Sequence, residues 1–144
     1  MSHCGLSGNL PSDLMQMWSL ENLDLSFNSF SGKINFSQWS FGDNESRLEH
    51  LDLSHNLLEA SHIDEWPKML YLKEINLSYN HFNGELPEKI FEILPTLQML
   101  QLNNNRFEGC FNLLRSWGTV EVLDVSSNRL VDSVQRLLMV FPGL

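Results

Sequence analysis

Asp24 and Asp52 stand in near-identical surroundings, LDLSFN and LDLSHN. Two carboxyl groups held about 5 Å apart are the arrangement of a retaining glycosidase, in which one carboxyl must stay protonated while the other is ionised. His50 and His55 are of a type that ligates metal ions. Cys4 and Cys110 could close a disulfide if their Cα atoms came within about 7 Å. Asn35, Asn44 and Asn76 each open an Asn-X-Ser triplet, the acceptor for an N-linked glycan in a secreted chain. Residue type alone decides none of these chemistries. The elements that carry the residues must be found first.

Those elements are repeats. The run LENLDLSFN, ending at Asn28, returns as LEHLDLSHN at Asn56, LKEINLSYN at Asn80, LQMLQLNNN at Asn105 and VEVLDVSSN at Asn128. Within each run apolar residues alternate as on a half-buried strand, which directs Leu23 and Leu25 inward and Asp24 outward. The terminal asparagines are separated by 28, 24, 25 and 23 residues. Five LxxLxLxxN copies at that period resemble the leucine-rich repeat family. Ile75, Val120 and Val125 replace leucine without changing the pattern.

The resemblance implies an α/β-type repeat solenoid: a right-handed curved coil with a parallel concave sheet and an irregular or short-helical convex side. Residues 1–144 then form a single array of about five full repeats plus a partial N-terminal one, with no cap motif at either end. Uncapped ends expose strand edges and apolar surface, so fraying or self-association is expected of the isolated chain.

The recurring asparagine has a physical reason. Where the chain leaves the strand and turns inward, backbone amides and carbonyls are buried, at a cost of about 1–3 kcal/mol for each group left unpaired. An amide side chain supplies both a donor and an acceptor. Asn28, Asn56, Asn80, Asn105 and Asn128 are therefore read as a structural ladder.

The segments beyond the asparagines narrow the resemblance. NSFSGKI after Asn28, NHFNGELP after Asn80 and CGLSGNLP from Cys4 to Pro11 are similar to the plant-type extension NxLxGxIP of cell-surface receptors. In that family the extension forms a second strand on one flank, with Gly8, Gly32 and Gly84 supplying turn conformations and Pro11 and Pro87 ending the pairing. The residues after Asn56, Asn105 and Asn128 depart from it, so no flank strand is carried over there.

On the outer wall, Leu14, Trp66, Phe91 and Leu114 share a register and are expected to pack between coils. The long first repeat has Gly42 there, with Phe41 and Trp39 nearby, which predicts a convex bulge of about four residues. Four coils at about 4.8 Å separate Cys4 from Cys110, too far for a bridge, so two buried thiols are expected. Asn35 and Asn44 fall in the convex insertion, where a glycan fits. Asn76 lies on a strand, where a glycan would cover part of the concave face.

The net charge of -9 disfavours nucleic acid and anionic lipid. No signal peptide or spanning segment is evident in the sequence. On an open face Asp24 and Asp52 would both be hydrated and ionised, nothing raises either pKa, and the chain is not expected to be an enzyme. The histidines lack a third ligand, and no cofactor is implied.

Function is expected on the outward strand columns. The first runs Asn22, His50, Glu74, Met99, Val122; the second Asp24, Asp52, Asn76, Gln101, Asp124; the third Phe27, His55, Tyr79, Asn104, Ser127. Aromatic and imidazole groups beside an acidic and amide column suit an extended peptide with a basic residue. A solvated strand face is the alternative. The leading reading is recognition of a peptide or protein ligand, or of a co-receptor ectodomain, by a piece of a plant receptor ectodomain outside the cell. A secreted inhibitor of a wall-degrading enzyme and an intracellular scaffold are the other classes.

Overall fold

The structure is a computed structural model that describes residues 2–36, 39, 45–60, 68–86, 90–110 and 119–131. Phe41, Gly42, Asn44, Trp66, Pro87, Lys89 and Leu114 lie outside the described residues, as do the side chains of Phe91 and Cys110. The described chain is a parallel-strand leucine-rich repeat solenoid. Its outer wall is irregular apart from a 3-10 turn at Ser12–Gln16 and the short helix α1 at Ile90–Ile93.

The described residues form eleven short strands, in order β1 Ser7–Gly8, β2 Asn22–Asp24, β3 Ser29–Lys33, β4 His50–Asp52, β5 Leu57–Glu59, β6 Glu74–Asn76, β7 Asn83–Glu85, β8 Met99–Gln101, β9 Arg106–Cys110, β10 Val122–Asp124 and β11 Arg129–Val131. The concave sheet takes β2, β4, β6, β8 and β10 side by side, all parallel. Its register places Leu23, Leu51, Ile75, Leu100 and Leu123 in one row. The strand period of two then sends Leu23 and Leu25 into the core and leaves Asp24 exposed between them. Because every coil repeats the pattern, aligning one apolar residue aligns them all.

A second wall forms on the flank, where β1, β3 and β5 make one parallel sheet and β7, β9 and β11 another. Two backbone bonds, His81 N–H to the Leu58 carbonyl (2.9 Å) and Asn83 N–H to that of Ala60 (3.1 Å), continue the path between them. Flank strands thus come after Asn56, Asn105 and Asn128, where the plant-type extension is incomplete. Parallel pairing uses backbone groups, and each flank strand needs only one apolar residue to anchor it. Phe30, Leu58, Phe82 and Phe107, each two residues past a ladder asparagine, supply that anchor and are buried. Phe82 and Phe107 lie parallel, with ring centroids 6.3 Å apart.

Gly8, Gly32 and Gly84 take positive φ, as the turns require, and Gly109 joins them at +86°. A Cβ on Gly109 would lie 2.7 Å from Glu85 Cγ, so the position excludes a side chain on space as well as conformation. On the convex side Phe36 and Trp39 are buried against each other at 5.0 Å, and Leu14 is half-buried against the core. Cys4 departs from expectation: its thiol is free and exposed, donating only to the Ser2 carbonyl at 3.3 Å. It occupies the ladder position of the coil that precedes β2, and no described coil packs over its outer side.

Each ladder asparagine joins two coils. Asn80 Nδ2 donates within its own coil to the carbonyls of Leu77 (3.3 Å) and Ser78 (3.2 Å), and across to that of Leu53 (2.8 Å). Its Oδ1 accepts the Leu58 amide of the preceding coil at 3.0 Å. Asn56, Asn105 and Asn128 repeat both halves, with Oδ1 accepting from Phe30, Phe82 and Phe107. Asn28 accepts from Leu6 at 2.9 Å. Replacing Asn80 by Ala strands a buried amide and several carbonyls, so Asn80→Ala should cost about 2–4 kcal/mol in chemical denaturation. A loss below about 0.5 kcal/mol would remove the ladder as the source of coil-to-coil stability.

Candidate functional site

Three columns of outward residues rise from the concave sheet. The first contains Asn22, His50, Glu74, Met99 and Val122, held in register by the strand pairing. His50 Nδ1 lies 3.1 Å from Glu74 Oε2, and Lys73 Nζ pairs with Glu49 Oε2 at 2.6 Å. The lysine beside Glu49 holds its carboxyl below the usual carboxylate range. Glu49 and Lys73 precede strands β4 and β6 by one residue, so their pairing became visible only once the coils were aligned in space.

The second column has a structural duty that its composition did not reveal. Asp24 Oδ1 accepts the Ser26 amide at 2.9 Å and the Ser26 hydroxyl at 2.6 Å. Asp52 accepts from Ser54 N–H at 2.9 Å, Asn76 from Ser78 N–H at 3.1 Å and Asp124 from Ser126 N–H at 3.0 Å. These are Asx turns, in which an acidic or amide side chain caps the amide two residues on. The Asp/Asn-X-Ser spelling repeated in LDLS, INLS and LDVS was their signal. Asn76 also donates Nδ2 to Asp52 Oδ2 at 3.2 Å, so adjacent coils are linked along this column. Gln101 is half-buried in the same row.

The third column is the most ordered. Phe27, His55, Tyr79, Asn104 and Ser127 all take left-handed φ between 53° and 56°, and His3 does the same. Their amides donate to carbonyls of the next coil: His3 to Ser26, Phe27 to Ser54, His55 to Ser78, Tyr79 to Asn103 and Asn104 to Ser126. This conformation stacks the rings. His3 lies 4.3 Å from Phe27, Phe27 4.0 Å from His55 and His55 4.2 Å from Tyr79, with interplanar angles of 11° to 13°. His3 was missed as a member because its coil is incomplete. The cue was its place immediately before Cys4, the residue at the ladder position.

The rings border a shallow groove of about 220 Å³ over β2, β4, β6 and β8, lined among others by Asp24, His50, Asp52, Glu74 and Asn76. Three carboxyl groups face one imidazole there, a surface suited to a cationic group. Among the described residues no cluster of His, Cys, Asp and Glu could hold a metal ion. Asn35 is exposed, Asn76 is half-buried with its amide nitrogen bonded to Asp52, and Asn44 lies outside the described residues.

The Ser26 hydroxyl, with the Ser26 amide second, holds the Asp24 carboxyl below its ordinary value. A depressed folded-state pKa contributes stability that is present above the unfolded value, about 3.9, and is lost as pH falls through the folded one. Ser26→Ala should therefore raise the Asp24 pKa toward the ordinary value and move the acid loss of stability to higher pH. Carboxyl NMR titration and acid denaturation measure the two effects; an unmoved Asp24 titration would refute the cause given.

Known proteins share this architecture. The family model for Leucine Rich Repeat matches residues 19–40, 47–69 and 71–93. Receptor-like protein 45 of Arabidopsis thaliana is 35% identical over 109 residues, covering 76% of this chain and 11% of that protein. The structure superposes with a TM-score of 0.76 on the plant peptide hormone receptor RGFR1, solved in complex with RGF2, at 26% identity over 96% of this chain and 22% of the receptor. It also resembles the Arabidopsis receptor kinase HAESA, solved with the peptide hormone IDA and the co-receptor SERK1, at TM-score 0.60 and 27% identity, covering 90% of this chain and 25% of that one. The chain spans between 10% and 16% of the length of the curated relatives it matches. Among the described residues no helix is long and apolar enough to cross a membrane.

Proposed function

The chain belongs to the leucine-rich repeat proteins of plant receptor type, and from that premise we propose that it is a recognition segment of a cell-surface receptor ectodomain. Its partner is an extended peptide or protein ligand, with a co-receptor ectodomain as the further candidate. One observation carries the reading: a continuous ring stack, from His3 to Tyr79, borders a carboxylate-lined groove on the concave face. An apolar edge beside an acidic groove offers contact area and charge selection together. The solved receptors it resembles, bound to peptide hormones, support the same assignment.

Binding is favoured over catalysis because Asp24 and Asp52 are committed to turn bonds, and the Asp24 carboxyl is lowered where a general acid would need it raised. We place the face outside the cell, in keeping with the receptor-like relatives. Asn35 is the exposed described sequon and suits a glycan, whereas one on Asn76 would take the nitrogen now donated to Asp52 and crowd the groove.

The test starts from ligand retained on the immobilised chain from extracellular plant fluid and measures its affinity by calorimetry. Tyr79→Ala and His55→Ala should each weaken binding by about 1–2 kcal/mol with the fold intact, and Lys33→Ala, on the flank strand, should be neutral. Unchanged affinity in both ring variants would move recognition off this face. In material from a secretory host, peptide mapping should find glycan on Asn35 and none on Asn76; full occupancy of Asn76 with binding unaltered by the ring variants would have the same consequence.

A further inference from the structure

The third column holds rings in four successive coils and then stops. Asn104 and Ser127 continue it with the same left-handed φ, 56° and 53°, and Asn104 makes the same N–H bond to the next coil, at 3.0 Å. The turn therefore does not require an aromatic residue. His55 covers one face of Tyr79 at 4.2 Å, while among the described residues no ring stacks on the other face, toward Asn104. Tyr79 remains 48% exposed. Beyond Tyr79 the stack lacks the next ring, which a partner can supply.

We propose that the face of Tyr79 above Asn104 is a slot for one aromatic side chain of an extended peptide, whose basic residue three positions away reaches Asp52. This deepens the peptide-recognition reading and rests on it. The spacing comes from the coils. Asp52 and Asn104 lie two coils apart, about 10 Å at the inter-strand spacing, and an extended peptide advances about 3.3 Å per residue, so three residues span the distance. An odd separation also sends the two side chains to opposite sides of the peptide, one toward the acidic column and one toward the rings. Charge fits the basic end: Asp24, Asp52 and Glu74 line the groove with His50, while the nearby Lys73 is engaged by Glu49. Asp52 accepts from Ser54 and Asn76, and a carboxylate with about four acceptor sites retains capacity for a cation. A flat aromatic ring suits the slot because the column's own rings stack at 4.0–4.3 Å with nearly parallel planes.

The experiment titrates the 144-residue chain by calorimetry with the capped peptide GSKGSYGS. Comparison peptides replace its tyrosine by leucine or by arginine, replace its lysine by glutamate, or shorten the spacing to two as GSKSYGGS. The parent should bind about fivefold or more tightly than each of these. Asn104→His fills the slot with the chain's own ring, in a conformation that His55 already adopts, and should reduce the parent peptide to the level of the leucine form without lowering the melting temperature. Tyr79→Leu, which removes the stacking face, should give the same loss. If the leucine or arginine peptide binds as well as the parent, or Asn104→His leaves the preference intact, the slot is refuted while lysine-dependent binding keeps the broader reading. If neither the parent nor any lysine peptide binds, the slot and the acidic-groove reading fall together.

Discussion

The side-chain amide of each ladder asparagine is shared between two coils, and the rest of the structure depends on that sharing. Its nitrogen draws together carbonyls of its own turn and of the preceding one, while its oxygen takes the amide two residues past the preceding ladder position. Aspartate could accept but not donate, and serine is too short to offer both functions. The thiol of Cys4 donates to the Ser2 carbonyl, the same two-residue offset used by Asn28 toward Ser26, but has no counterpart to the amide oxygen. The bond to the preceding coil also fixes where the flank strand begins. It places Phe30, Leu58, Phe82 and Phe107 in the core at the point where each chain turns outward.

That turn determines the geometry of the concave border. The residue immediately before each ladder position is forced into the left-handed region so that its amide can reach the next coil. Outside glycine this conformation is uncommon and is tolerated when surrounding bonds determine it. Here the Asx turn on one side and the ladder amide on the other do so. Side chains at this position consequently project in parallel, and rings placed there meet face to face at the coil spacing. The stack is therefore a consequence of the backbone network, while its aromatic content is free to differ between coils.

The scaffold was highly legible in the sequence because a single constraint is written five times. Leu23, Leu51, Ile75, Leu100 and Leu123 could be aligned from their spacing alone. The less legible parts depend on contacts between coils or on positions where the spelling departs from the repeat. The flank strands after Asn56, Asn105 and Asn128 lack the glycine-and-proline ending, yet their backbones pair because the preceding turn is already anchored. His3 was hidden because Cys4 stands where asparagine would have marked its column. Cys4 is exposed because an end position in the described stack lacks the cover an internal coil provides. The outward columns could be enumerated, but the commitment of Asp24, Asp52, Asn76 and Asp124 to Asx turns showed that outward residues are not all free to serve a ligand.

The distinction bears on how the face can acquire specificity. The second column links turn geometry to groove charge, so exchanging Asp for a residue without an acceptor oxygen would disturb both the Ser amide beneath it and the field above. The third column is differently constrained: Phe27, His55, Tyr79, Asn104 and Ser127 adopt one backbone conformation with five different side chains. Its backbone bonds are independent of those side chains, so ring identity can change while the ladder and Asx turns persist. The first column pairs His50 with Glu74, which lets charge at the far wall vary without involving either turn. A receptor face arranged this way keeps its electrostatics tied to folding at one column and leaves stacking chemistry as the freer variable. Selectivity among basic peptides should then arise chiefly along the ring column, where a change of side chain alters what is recognised without removing a bond that holds the coils together.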